Sequence, residues 1–572
     1  GSCNGDILGT AETYIGRQVK SEYRISALQD GVTHDCFEAG FPWVRDIVYG
    51  ANDLGGRILG VNDYRDHVRG VRSWDSSDFD VISKVHKYNA STNANPDVLK
   101  ASAYVEYLQG RADAIFGGCY GTYDYKDPEF SAYFNADGTP KAGYCKPYMD
   151  NAFVNFRPSY TNANNVVKEV YGAGQGYPGD RDGDMSQDRS YVLVDIPQDM
   201  TYYTDMEVFG AGSYDGLGMR ESYVPATETE PASDVAFDNS AAVVDLVRGQ
   251  IGAAYGASLN EGVTRHTLVR VPTGSTIRLG SIFGGAYGND RLKPCDVYDA
   301  NVEYHSADAW LVYNPVRTDA SNNTLGNAKY KGAIYGGNNN KRRTIYSKIH
   351  IDVPVNLDHY QYGNTTGYVY GAGYGPETWA EYTEVVLDNG AQVYEVYGGG
   401  EQGLVLNAES TQKYMAEVGQ AIQEASDDEW EAAWKLGGGY DPASFSDYAA
   451  NSITNLDNTA IVRTAEMDDR DATREPYRSY TTYRSHKYNT NVIIKQGATV
   501  NNYAYGGGLG SASYPTSGDV YGSTYIALLG GTVKKDIYAA GTIGGVYDAF
   551  STGNFTASAN AYIAGGTLRN VY

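Results

Sequence analysis

Val385-Val386-Leu387-Asp388-Asn389-Gly390-Ala391-Gln392-Val393, followed by Val396-Tyr397-Gly398-Gly399-Gly400, is the stretch from which the rest of the chain can be read. A short alternating apolar run reaches a Gly turn. A second short strand follows, then a β-branched residue, an aromatic and a run of Gly. Val492-Ile493-Ile494-Lys495-Gln496-Gly497-Ala498-Thr499-Val500 before Tyr505 repeats it, as do Tyr525 to Val533 before Tyr538 and Ala561 to Leu568 before Tyr572. The second half recurs along almost the whole sequence: Val48-Tyr49-Gly50, Ile115-Phe116-Gly117, Val170-Tyr171-Gly172, Val208-Phe209-Gly210, Ile282-Phe283-Gly284, Ile334-Tyr335-Gly336 and Val369-Tyr370-Gly371, with a degraded copy at Ala254-Tyr255-Gly256.

Neighbouring aromatics in the clearest copies are roughly 27 to 38 residues apart, a period typical of repeat arrays. A strand sends successive side chains to opposite faces, so the β-branched residue and the aromatic cannot both point inward. The sequence predicts the β-branched residue inside, with the Tyr outside, stacked on its neighbours and its hydroxyl in water. The Gly runs are expected to supply positive φ at the turns. One unit has too little apolar surface to offset its own ordering entropy, so units must stack.

The predicted fold class is all-β: a β-solenoid, read as a right-handed parallel β-helix, with loop insertions and one inserted amphipathic helix. Stacked hairpins, a propeller or separate sandwiches are the alternative, because Asn389-Gly390 is also a hairpin signal. The expected organisation is an N-terminal segment or cap over 1–40, a repeat array over 41–403, an inserted helix and polar loop over 404–488, and the continued array over 489–572. The last unit stops at Tyr572 without its Gly turn, which reads as a fragment of something longer. The helix is expected within 409–434, where Met415, Val418, Ala421, Ile422 and Ala425 recur at three- and four-residue steps and Trp430 and Trp434 end the stripe.

Composition bounds the function. The chain has 572 residues, 68 of them Gly and 53 Tyr, and a net charge of -25. Such acidity argues against nucleic acid, which is bound by releasing counterions to a basic surface; it keeps a long protein soluble and suits divalent cations. No run of about 18 apolar residues is present, so no transmembrane segment is expected. The five cysteines form no CxxC pair; Cys119 and Cys145 are read either as a disulfide or as two buried thiols. The start, Gly1-Ser2-Cys3-Asn4, is either a remnant of expression or the end of a lipoprotein signal, in which case Cys3 is the lipidation site.

No phosphate-binding loop, dinucleotide fingerprint or HExxH string occurs in a matching context. The best local candidate is Asp180-Arg181-Asp182-Gly183-Asp184 with Asp188. Alternating carboxylates on a Gly-containing loop make Asp180, Asp182, Asp184 and Asp188 candidate Ca²⁺ ligands, weighed against a plain solvated acidic loop. No catalytic residue and no other cofactor is predicted.

The Val396-Tyr397-Gly398-Gly399-Gly400 and Gly530-Gly531-Thr532-Val533 strings resemble those of Gly-rich repeat surface proteins of the Bacteroidetes, a group that includes S-layer-like lipoproteins and adhesin-like proteins. The resemblance implies an extracellular, outer-membrane-associated protein on a lipid anchor, forming a coat or contacting host or glycan. The resulting expectation is a non-enzymatic structural or adhesive module whose partners are copies of itself or surface ligands. A β-helical polysaccharide lyase or glycoside hydrolase and a phage or fibre-type adhesin are the alternatives.

Overall fold

The computed structural model describes residues 44–58, 103–158, 166–176, 187–217, 241–312, 331–406, 488–547 and 557–572, less short gaps within these ranges, and a few pieces of the first 35 residues. The expected helix within 409–434 lies outside the described residues. Among those described the only helical segment is the 3₁₀ turn Pro128–Phe130.

The described residues are all-β, and apart from one two-stranded pair their strands fall into two large sheets of 18 and 13 strands. The first holds the long strands, among them Ala103–Tyr107, Tyr148–Phe156, Gln187–Asp195, Thr264–Val271, Lys341–Ile351, Glu377–Leu387, Thr490–Lys495, Thr524–Val533 and Ala559–Thr567. The second holds the short aromatic strands, such as Ile47–Tyr49, Ala114–Phe116, Glu169–Tyr171, Ala333–Tyr335, Tyr368–Tyr370 and Val396–Tyr397. In sequence each of these long strands before Ala559–Thr567 is followed by an aromatic one, and both pair in parallel with their counterparts in the next repeat; after Ala559–Thr567 the aromatic unit is the isolated bridge of Val571 to Ile537. Asn389-Gly390 does not close a hairpin. Leu387 pairs in parallel with Ile351 and Ile494, and Gln392 with Thr499. Among the described residues antiparallel pairing is confined to Ser26–Gln29 with Val32–Asp35 and to isolated bridges.

The expected alternation is present. Val48, Ile115, Val170, Val208, Ala254, Ile282, Ile334, Val369 and Val396 point into one continuous core, where they meet residues such as Val105, Val154, Val192, Val269, Ile349 and Val385 from the long strands. At about 25 cal/mol per Å² of apolar surface, this shared interior is the main stabilising term.

Two expectations are corrected. The aromatic row does not keep its rings and hydroxyls in water: Tyr171, Phe209, Tyr255, Tyr335 and Tyr397 are all buried, in a second apolar cluster of their own. The residue four places after an aromatic covers the row, since Leu259, Tyr287, Tyr374 and Leu509 follow Tyr255, Phe283, Tyr370 and Tyr505 at that spacing and pack on it. The second correction concerns Gly. Positive φ occurs in the turn after the long strand at Gly390 (99°) and Gly497 (86°), and at register shifts within the long strand at Gly530 (121°) and Gly566 (104°). The Gly after each aromatic does not have positive φ and is needed for a different reason. A Cβ at Gly256 would lie 2.1 Å from the Gly284 carbonyl oxygen, and one at Gly398 would lie 2.2 Å from that of Gly506. These residues let successive backbones approach each other and the opposite sheet.

Candidate functional site

The most regular feature the fold builds is the row of rings. Tyr49, Phe116, Tyr171, Phe209, Tyr255, Phe283, Tyr335, Tyr370, Tyr397, Tyr505, Tyr538 and Tyr572 stack in order, with centroids 4.2 to 5.4 Å apart and planes within 18° of parallel. Parallel register imposes this, because equivalent residues of adjacent strands must lie one strand spacing apart. Buried Tyr hydroxyls need partners, and the position four after the aromatic supplies several. Tyr335 donates to Glu401 Oε2 at 2.6 Å, Tyr49 donates to Gln175, and Asn339 donates to the Tyr255 hydroxyl at 2.9 Å. Each reaches a ring two repeats earlier. The residue two before the ring serves as well, as Tyr171 donates to Glu169 at 2.9 Å and Tyr397 to Glu395 at 2.7 Å. Burial, and then the nearby carboxylate charge, push the Tyr171 and Tyr335 phenols far above their usual range. They stay neutral donors.

Behind the row a second ladder ties the sheets together. Thr267, Thr383, Thr490 and Thr524 of the long strands donate to the carbonyls of Gly284, Gly398, Gly506 and Ala539 at 2.5 to 2.6 Å, and Ser190 and Ser347 do the same to Gly210 and Gly371.

Among the described residues charge is gathered at several places, three of which link neighbouring repeats through more than one partner. Asp245 accepts two bonds from Arg270, at 2.8 and 3.0 Å, and one from the Tyr191 hydroxyl at 2.7 Å. Asp296 is held by Arg342 at 3.0 and 3.1 Å and by Arg343 at 3.2 Å, with Arg342 wholly buried at φ 77°. Two arginines outweigh the desolvation of Asp296 and hold its carboxyl below the usual range. The third is a file of half-exposed groups: His305 contacts Glu303 (3.6 Å) and Asp352 (3.0 Å), and Asp388 meets His350 (3.5 Å) and Lys495 (2.8 Å). Burial lowers the His305 pKa, but the bonds to Glu303 and Asp352 and their charges outweigh it and raise it to about 9.

Of the residues singled out from sequence, Cys3, Asp180, Asp182 and Asp184 lie outside the described residues, and Asp188 is placed only as a backbone position in the strand Gln187–Asp195. Among the described residues no three His, Cys, Asp or Glu side chains are grouped to hold a metal. Among them, too, no helix is long and apolar enough to cross a membrane. Cys119 and Cys295 are buried, and Cys145 lies outside the described residues. The polar partners of the rings were missed in the sequence, although their spacing four after the aromatic was visible there. The Asp245 and Asp296 clusters had no signal, because their members come together only across repeats. Comparison with known proteins adds no relative: no family model, no curated protein and no solved structure matches the chain.

Proposed function

We propose that the chain is a right-handed parallel β-solenoid acting as a structural or adhesive module on a bacterial cell surface, where it assembles with copies of itself or holds host or glycan ligands. One observation carries this reading. Long and aromatic strands alternate in sequence, and each kind pairs in parallel with its own kind in the repeats before and after. Chain that alternates between two parallel sheets in this way advances by one strand spacing per repeat, so the twelve rings span about 50 Å. Such a stack is a stiff spacer, and its insertions are where binding is expected. The net charge of -25 supports a protein that stays soluble at high local density.

Protease shaving and antibody labelling of intact producing cells, with negative-stain imaging of the purified chain, test the proposal. Surface-accessible protein and slender particles, isolated or in a lattice, are expected. Retention inside the cell together with round particles would sink it. Two attached details have their own tests. Lipid on Cys3 is read by intact mass. Ca²⁺ on Asp180, Asp182, Asp184 and Asp188 is read by calorimetry on the chain and on Asp182→Ala, and no heat from the unmutated chain removes that site.

A further inference from the structure

The strand Glu377–Leu387 lies at a seam. On one side it pairs with Lys341–Ile351 from Glu377 to Ala380 and from Tyr382 to Leu387. On the other it meets two separate strands: Trp379 and Ala380 pair with Leu404 and Val405, while Thr383 to Leu387 pair with Thr490 to Ile494. Glu381 sits between those two pairings, where one partner strand has ended at Leu406 and the next begins at Thr490. Among the described residues Asn489 bridges the junction, donating from its side chain to the Glu381 carbonyl at 3.1 Å, while its own carbonyl accepts from the Thr383 amide at 2.9 Å.

The Glu381 side chain is 1% exposed, and among the described residues neither carboxyl oxygen has a hydrogen-bond partner. Its closest charge is Arg343 Nη1, which forms an ion pair with it at 3.7 Å, beyond hydrogen-bond distance, while Arg343 Nη2 bonds Asp296 at 3.2 Å. Among the described residues the charged groups facing it are Arg343 from Lys341–Ile351 and Asp296 from the segment before the neighbouring strand. Leu404–Leu406 and Asn489–Thr490, on its other side, bring no titratable side chain. An ionised carboxylate placed here has lost its water and gained no donor; the neutral acid has far less to lose.

We propose that Glu381 is a proton-controlled latch at this seam: as a neutral acid it lets the junction close, and as a carboxylate it favours local opening of Thr383–Leu387 away from Thr490–Ile494. Burial is the largest influence on its titration. Arg343 opposes burial, Asp296 adds to it, and together they bring the group up to about 7 from an ordinary 4.5. A folded-state pKa above the unfolded one means stability that is complete below pH 4.5 and lost as the pH rises through 7. If opening fully hydrates the carboxyl, that difference changes the opening equilibrium by up to about 300-fold.

Hydrogen exchange on the full chain tests this, with amides of Thr383 and Val385 followed from pH 5 to 8 and corrected for intrinsic exchange. Their protection is expected to fall by one to two powers of ten in the unmutated protein and to stay level in Glu381→Gln. Protection that is flat in the unmutated protein, or that falls equally in both, overturns the latch. Should Glu381→Gln not fold, infrared spectroscopy of the unmutated protein decides. A buried carboxylic acid C=O band present at pH 5.5 and gone by pH 8.5 supports the latch, and its absence at pH 5.5 overturns it.

Discussion

At Gly398 a Cβ would stand 2.2 Å from the Gly506 carbonyl oxygen and 3.0 Å from the Thr490 Cβ, both held by pairing and neither able to swing aside. Gly398→Ala is therefore expected to destabilise the protein by about 3 kcal/mol, at the upper end of overpacking costs, because backbone must move. At exposed Gly274, with φ 81° and nothing within 4 Å, the same change costs only the left-handed conformation, about 1 kcal/mol. Denaturant midpoints of the two variants check the order. If Gly274→Ala proves the costlier, the close-approach account of the Gly row is wrong. The polar partners of the rings make a second residue-scale case. Tyr335→Phe keeps the stack but takes from Glu401 a donor at 2.6 Å, leaving it Lys331. A loss of about 1–3 kcal/mol is expected, and Glu401→Gln should recover part of it in the double mutant by removing the buried charge.

Each strand contributes the same residue types to the same rows, so most of the fold was legible in sequence. The Val-Tyr-Gly string fixes which side chain faces the core, and Val170, Ile282 and Val396 lie there as alternation requires. The reading failed where the consequence depended on what comes next in the chain. Tyr255 and Tyr335 looked like outer-face residues and are buried because Leu259, Tyr287 and Tyr374 fold back over their row. The Asp296 cluster was illegible for a related reason: Asp296 and Arg342 are far apart in sequence, and only parallel register brings them together. The file along Glu303, His305 and Asp352 gives an element-scale prediction. With a pKa raised to about 9, the imidazolium of His305 stabilises the pairing of Val297–Tyr304 with Lys341–Ile351 fully below pH 6.5, and that contribution disappears as the pH rises through 9. An NMR titration should place the His305 ring near 9. His305→Gln should abolish the stability difference between pH 6 and pH 10 attributable to this strand pair, and a ring titrating near 6.5 would refute the account.

For the molecule as a whole, strand pairing between adjacent repeats makes stability largely a sum of local terms instead of one all-or-none quantity. Thr267 and Thr490 each donate to a Gly carbonyl, at 2.6 Å in both cases, but lie several repeats apart. Thr267→Val and Thr490→Val should each cost about 1 kcal/mol, and the double mutant should cost their sum within about 0.5 kcal/mol. Thr490→Val and Thr383→Val, whose residues pair directly, should not add in the same way. Protection from hydrogen exchange should follow the same logic. Strands paired on both sides and buried, such as Gln250–Tyr255 and Arg278–Phe283, should exchange slowest. Ala559–Thr567, which pairs with Thr524–Val533 and is exposed over most of its length, should exchange fastest among the long strands. Uniform protection along the stack, with non-additive distant mutants, would mean that the repeats unfold as one body and that nearest-neighbour stacking is not what sets the stability of this protein.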